Sequence, residues 1–349
     1  MNQTKSQDDK DVELQPLAPQ KASTVSGGTA KPGAAGGKGK DKAILSCALY
    51  CFCSISMVLV NKSLASSYND LIQGDLNVLL VVFQAIIAVI AVETCKKMKW
   101  VEYPTFNMRT ARQWAPVNIM FCLMLFTGMA SLQVNSVPMV TIFKNITNIF
   151  CSFGDYYFFG STVDRFVILS FSVMLLGALL AAGSDFEMNP VGIFWMISNC
   201  FATAGYILYM KYATKNVKLT KFGMVFYNNV LCILFLLPVA TINGELLTFL
   251  RTNAIHSFDY FWKNGFAGFV GFFLNFASLN CVANTGPTTY AIVGSLNKIP
   301  ITFLGYFMFH DTVSPDKWKF IAFSMSGGFL YSYAKIRSSR LRAKQTHLG

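Results

Sequence analysis

Between Ala43 and Ala334 the chain is made of runs of about twenty apolar residues, separated by short polar breaks. A helix that spans the hydrocarbon core of a bilayer needs about 20 mostly apolar residues. On that measure ten runs qualify, near 43 to 65, 76 to 95, 113 to 133, 137 to 159, 165 to 183, 189 to 211, 220 to 241, 263 to 283, 288 to 309 and 317 to 336. None alternates with a period of two, so a barrel is excluded, and lipid leaves only the helix to satisfy the backbone. The pattern predicts an all-α integral membrane protein with about ten transmembrane helices.

The runs also echo one another. Ala130-Ser-Leu-Gln followed by Asn135-Ser-Val-Pro138 recurs as Ala277-Ser-Leu-Asn followed by Asn284-Thr-Gly-Pro287, which makes the third and eighth helices counterparts. Leu59-Val-Asn-Lys62, ending the first helix, is matched by Leu208-Tyr-Met-Lys211, ending the sixth. Two five-helix repeats follow, about 42–184 and 189–337. Because five is odd, the second is inverted relative to the first, the architecture in which transporters place a midplane site between repeats.

Composition sharpens this reading. Of 349 residues, 53% are hydrophobic and only 13% charged, against about a quarter charged in ordinary soluble domains. The net charge of +12 comes from basic residues at the ends of apolar runs and in the tails, not from a basic face interleaved with aromatics, so nucleic acid is excluded as a partner. All nine cysteines fall in apolar runs without CxxC spacing, and the three histidines are scattered, which argues against disulfides and against a metal site. Residues 1–41 lack the apolar content to build a core and read as a disordered tail, and 338–349 as a basic one.

Charge also orients the bundle. Lys96, Lys97, Lys99, Arg109 and Arg112 flank one loop, Lys211, Lys215, Lys218 and Lys221 another, and Lys335, Arg337, Arg340, Arg342 and Lys344 end the chain. The opposite loops hold Asp70, Asp75, Asp185, Glu187, Glu245 and Asp259. The positive-inside rule then puts both termini in the cytosol.

Ionisable groups in the bilayer core are costly, which makes each a candidate for function. Lys144, in Thr141-Ile-Phe-Lys-Asn-Ile-Thr147, lies about two turns into the fourth helix, with Asn145 beside it. Lys298, in Gly294-Ser-Leu-Asn-Lys-Ile-Pro300, lies about three turns into the ninth, with Asn297 beside it. A repeat-related pair of lysines next to asparagines is what a central anion site requires, and a flexible ammonium suits a phosphate that must bind and then leave. The competing reading is that each lysine snorkels or meets a structural carboxylate, although Asp155 is about three turns from Lys144. Gly294 and Pro300 loosen the backbone around Lys298, either to line a cavity or to kink for packing.

The seventh helix carries Phe226-Tyr-Asn-Asn229. Asn228 and Asn229 can read the edge of a purine while Tyr227 offers a stacking face, or the amides can bond between helices. Tyr50, Gln84, Asn275 and Tyr290 are further polar groups at depth, each taken alone more suited to structure than to function.

Phe226-Tyr-Asn-Asn229 and Gly294-Ser-Leu-Asn-Lys298 resemble the paired FYNN and GALNK motifs of the GDP-mannose transporter family, and Phe143-Lys-Asn-Ile-Thr147 resembles its FKN motif. The resemblance covers about residues 42 to 340. It implies the ten-helix fold of the drug/metabolite transporter superfamily in two inverted repeats, working by alternating access in a Golgi membrane. It further implies exchange of cytosolic GDP-sugar, GDP-mannose first, for lumenal GMP. Carried over by position, Asn228 and Asn229 recognise guanine, Gly294, Ser295, Asn297 and Lys298 meet the sugar and phosphates, and Tyr50 and Tyr290 line the same cavity. Two positions depart from the pattern. Ser295 stands for the usual alanine, which opens the identity of the sugar, and Asn275 stands where a serine often meets the base.

A carrier of another GDP-sugar, such as GDP-fucose or GDP-arabinose, stays open beside GDP-mannose. A membrane-embedded transferase would need clustered carboxylates or metal ligands that the spans lack, so the chain is expected to be no enzyme and to use no cofactor. Membrane lipids are expected partners, and self-association as a homodimer is left open.

Overall fold

The computed structural model describes residues 37–66, 76–160, 163–183, 189–253, 256–285, 290, 293–294, 296–309 and 315–346. The helices are α1 (Gly37–Ser66), α2 (Asn77–Lys97), α3 (Met108–Val134), α4 (Val137–Phe159), α5 (Arg165–Gly183), α6 (Pro190–Asn216), α7 (Lys221–Ile242), α8 (Glu245–Arg251), α9 (Phe258–Thr285), α10 (Lys298–Phe309) and α11 (Pro315–Thr346). The described residues contain no strand. Ten of these helices fall on the ten apolar runs; α8, with 7 residues, is an addition that periodicity did not signal.

Short polar caps let the helices turn without leaving bare backbone donors, which nonpolar surroundings would penalise. Asn107 accepts from the Arg109 amide at 2.8 Å and Asn189 from the Val191 amide at 3.0 Å. Between α3 and α4 the chain reverses in two residues, where Ser136 caps α4 and Pro138 occupies its first turn. Gly160, at φ 62°, ends α4 in the left-handed region that glycine adopts without strain.

Helix packing reproduces the repeat. α3 lies on α6 as α9 lies on α1, α4 on α6 as α10 on α1, and α3 on α7 as α9 on α2. The pairs α2 with α7, α4 with α10 and α5 with α11 map onto themselves under the same exchange. Two inverted five-helix repeats related by a pseudo-two-fold axis give this pattern. With ten alternating spans, both ends of the described chain share one end of the bundle, here the terminal end; the α3–α4 corner and α8 mark the far end.

The outer surface is apolar: Leu179, Phe194 and Phe307 are each at least 60% exposed. The interior holds Asn118, Asn145, Ser170 and Ser324, all at 0%. An apolar outside around a polar inside is the arrangement lipid demands, and the chain is a multi-pass membrane protein. Five helices, α1, α2, α3, α6 and α7, contain segments long and apolar enough to cross a membrane, and Arg165–Leu180 and Lys298–Phe309 are shorter apolar stretches among the described residues.

Two boundaries differ from the sequence reading. Within the expected ninth span the described residues 290, 293–294 and 296 are helical, and a single turn residue, Asn297, separates them from α10. At the other end α11 runs on through the basic segment to Thr346, because Arg, Leu, Ala, Lys and Gln are good helix formers. The segment 1–36 lies outside the described residues.

Candidate functional site

The interruption before α10 gathers the site. Lys298 is the first residue of a helix that starts inside the bundle, and its Nζ donates to Oδ1 of Asn145 on α4, joining the two repeats at their crossing. Asn145 is fully buried, and its Nδ2 has no partner among the described residues. Asn297 is 3% exposed, with both amide atoms unpaired among the described residues. Buried amides of this kind are costly unless a ligand or water satisfies them.

Lys144 is exposed, although Phe143 and Asn145 on either side are buried. It lies within electrostatic range of Lys298 on α10 and Cys200 on α6, which places it towards the interior of the bundle. No described carboxylate pairs with either lysine; the two described ion pairs are Lys211 with Asp155 and Lys263 with Asp259. Asp155, the acid closest to Lys144 along α4, is thus taken by Lys211 at 2.8 Å. Two cations and unpaired buried amides brought together at one point of the bundle form an anion site.

Tyr50 and Tyr290 pair with ring centroids 4.8 Å apart. A Cβ on Gly294 would approach the Tyr50 hydroxyl at 3.3 Å, so the α1 tyrosine, Tyr290 and Gly294 are brought together. Ser295 lies outside the described residues.

The α7 motif divides. Tyr227, expected to offer a stacking face, is instead 1% exposed and stacked on Phe106, with its hydroxyl accepting from the Asn107 amide at 2.8 Å. It anchors the α2–α3 loop. In that loop Tyr103 donates to Glu93 at 2.7 Å, and burial, reinforced by this bond, raises its phenol above the ordinary value, so it remains a donor at physiological pH. Asn228 is also committed: Oδ1 accepts from Trp114 Nε1 at 2.8 Å, Nδ2 donates to the Tyr206 hydroxyl at 3.0 Å, and its carbonyl accepts from Asn118 at 2.7 Å. Among the described residues, Asn229 and Asn275 donate to carbonyls one turn back on their own helices, at 2.7 and 3.0 Å, local bonds that a ligand can replace at little cost. Phe222 on α7 and Phe276 on α9 have ring centroids 6.5 Å apart.

Asn228→Ala is therefore expected to cost about 1–3 kcal/mol, because Trp114 and Tyr206 lose their partner while buried or half-buried. A thermal midpoint in detergent unchanged from the parent would remove this structural role. Trp114 and Tyr206 were not singled out by the sequence, since a Trp or Tyr in an apolar run carries no sign of its partner.

A cavity of about 410 Å³ lies elsewhere, at the far end among Asn77, Gln133, Trp195, Asn243 and Glu245. Its polar groups answer one another: Asn77 donates to Gln133 at 2.5 Å, and Glu245 accepts the Leu79 amide at 2.8 Å. Volume without unsatisfied donors or acceptors is a weaker sign of a ligand site than the orphaned amides at the lysines. No cluster of three or more potential metal ligands occurs among the described residues.

Comparison with known proteins agrees with this architecture. Residues 42–332 match the model of the Triose-phosphate Transporter family. The GDP-mannose transporter GONST2 of Arabidopsis thaliana is 35% identical, covering 84% of this chain and 79% of that protein. GDP-mannose transporter GONST1 of the same plant is 33% identical over 85% of this chain and 90% of its own length. A GDP-mannose transporter of Coccidioides immitis is 32% identical over 83% and 79%. A solved structure described only as "Crystal structure of protein" superposes over 84% of this chain and 98% of its own, with a TM-score of 0.50 and 12% identity, a likeness of fold alone. The chain belongs to the triose-phosphate transporter family.

Proposed function

We propose that this protein carries GDP-mannose from the cytosol into the lumen of the Golgi in exchange for GMP, by alternating access. The observation that carries the reading is the Lys298–Asn145 junction between α4 and α10, with Lys144 facing it and no described carboxylate paired with either lysine. A diphosphate supplies the missing negative charge, and a monophosphate leaving in the other direction supplies it again. The names of the relatives support the guanosine nucleotide as the form in which that phosphate arrives.

In this reading the charge asymmetry of the loops puts the terminal end in the cytosol and the far end in the lumen. Asn229 and Asn275, whose amides are held only by local bonds, read the guanine edge, while Asn228 braces α7 against α3 and α6. Asn297, Lys144 and Lys298 take the phosphates, and Tyr50, Tyr290 and Gly294 flank them. Ser295 is the position at which the sugar is chosen.

Uptake of labelled GDP-mannose into liposomes containing the purified protein and loaded with GMP tests the proposal, with GDP-fucose and UDP-sugars as unlabelled competitors. Uptake that needs internal GMP and resists UDP-sugars is the expected result. Uptake indifferent to internal GMP overturns exchange, and stronger competition by GDP-fucose than by GDP-mannose overturns the sugar.

A further inference from the structure

The pseudo-two-fold relation is broken at several helix contacts, and two lysines sit at one of the breaks. Lys62, at the far end of α1, is 5% exposed, and its Nζ donates to the carbonyls of Leu132 and Asn135, both at 2.7 Å. These are among the last carbonyls of α3, which have no partner within the helix, and the cation also meets the negative end of the helix dipole. α1 is packed on α3 there. The repeat-related helices α6 and α9 have no comparable packing along their described residues.

Lys211 occupies on α6 the place of Lys62 on α1, as the Leu59-to-Lys62 and Leu208-to-Lys211 echo requires. It does not cap α9. Its Nζ is instead held 2.8 Å from Asp155 on α4, and lies 4.3 Å from the centroid of the Phe159 ring. Asp155 has no acidic counterpart on α10, whose residues Lys298–Phe309 contain no carboxylate, so this resting place exists for one lysine of the pair only. Lys62 thus caps α3 at the far end, while Lys211 rests on Asp155 at the terminal end.

We propose that Lys62 and Lys211 are reciprocal latches of the transport cycle. When the far end opens, Lys62 releases the carbonyls of α3 and Lys211 leaves Asp155 to cap the last turn of α9, where Leu279 and Asn284 correspond to Leu132 and Asn135. Neither lysine touches cargo; both are positioning residues that set which end is closed. A cation on backbone carbonyls suits this task because its partners are present in every state of the helix and the bond depends on approach alone. The inference rests on the alternating-access reading above, but its test uses no substrate.

Amide hydrogen exchange of the full-length protein in lipid nanodiscs reads both ends at once. Lys62→Met keeps the length and apolar stem of the side chain and removes the cation. Exchange at residues 132–137 is expected to rise at least about tenfold, while exchange in the last turn of α9, residues 281–285, slows. Lys62→Arg restores the parental pattern. A merely structural Lys62 would loosen its own corner and leave α9 unchanged, which overturns the proposal. Asp155→Asn frees Lys211 without touching Lys62 and is expected to shift both segments in the same directions. Unchanged exchange at both segments in Asp155→Asn overturns the proposal even if Lys62→Met does not fold. Failure of GDP-mannose uptake would leave these exchange results standing, so the two readings fall separately.

Discussion

Replacing Lys298 with alanine is expected to lower nucleotide exchange at least ~30-fold while leaving the thermal midpoint of the ligand-free protein unchanged or raised. The two parts have one cause. Lys298 meets Asn145 and faces Lys144, with no described carboxylate paired to it. A cation buried near another cation contributes little to folding, and its removal relieves desolvation. Against bound phosphate the same charge is indispensable, since truncating one partner of a buried charge pair costs about 2–5 kcal/mol. The upward shift of the midpoint that GMP produces in the parent is expected to vanish in the variant, because only binding to the folded state stabilises it. Midpoints with and without GMP, alongside liposome exchange, check this. Full activity in a well-folded Lys298→Ala protein would end the role assigned to the α4–α10 junction.

Gly327→Leu is expected to lower the thermal midpoint by at least ~4 °C, and Gly177→Leu similarly. Without strong hydrophobic drive between helices in lipid, packing at small residues holds α5 on α11. A Cβ at Gly327 would lie 2.8 Å from the Met174 amide nitrogen, and one at Gly177 would lie 2.7 Å from the Ser324 Cα. Backbone cannot move aside as a side-chain tip can, so the two helices must separate; overpacking of this kind costs about 1–3 kcal/mol and occasionally more. Gly265, whose added Cβ would meet nothing within 4 Å, supplies the control. A Gly265→Ala protein that melts with the parent, beside a Gly327→Leu protein that also does, would refute close approach as the reason for these glycines.

How far the site could be read beforehand depended on what each residue needs. Lys144 and Lys298 were visible because a charge inside an apolar run has few explanations. The α7 amides were equally visible, but their division was not: Asn228 and Asn229 are neighbours of identical chemistry. Only the placement of Trp114 and Tyr206 commits one and leaves the other on a local bond. Tyr227 followed the same course once Phe106 covered its ring. The partner of Asp155 is Lys211, 56 residues away, a separation that no local pattern reports.

The sequence by itself determined the solvent, the ten long apolar helices and the inverted repeat. Apolar run length is dictated by bilayer thickness, and each echoed motif is local in the chain. Tertiary structure decided which polar groups answer each other and where each of the two matched lysines rests. Lys62 and Lys211 stand in matching sequence, yet one caps α3 and the other rests on Asp155. Those choices turn on approaches between helices distant in sequence, and two such arrangements of one chain can lie within a few kcal/mol of each other.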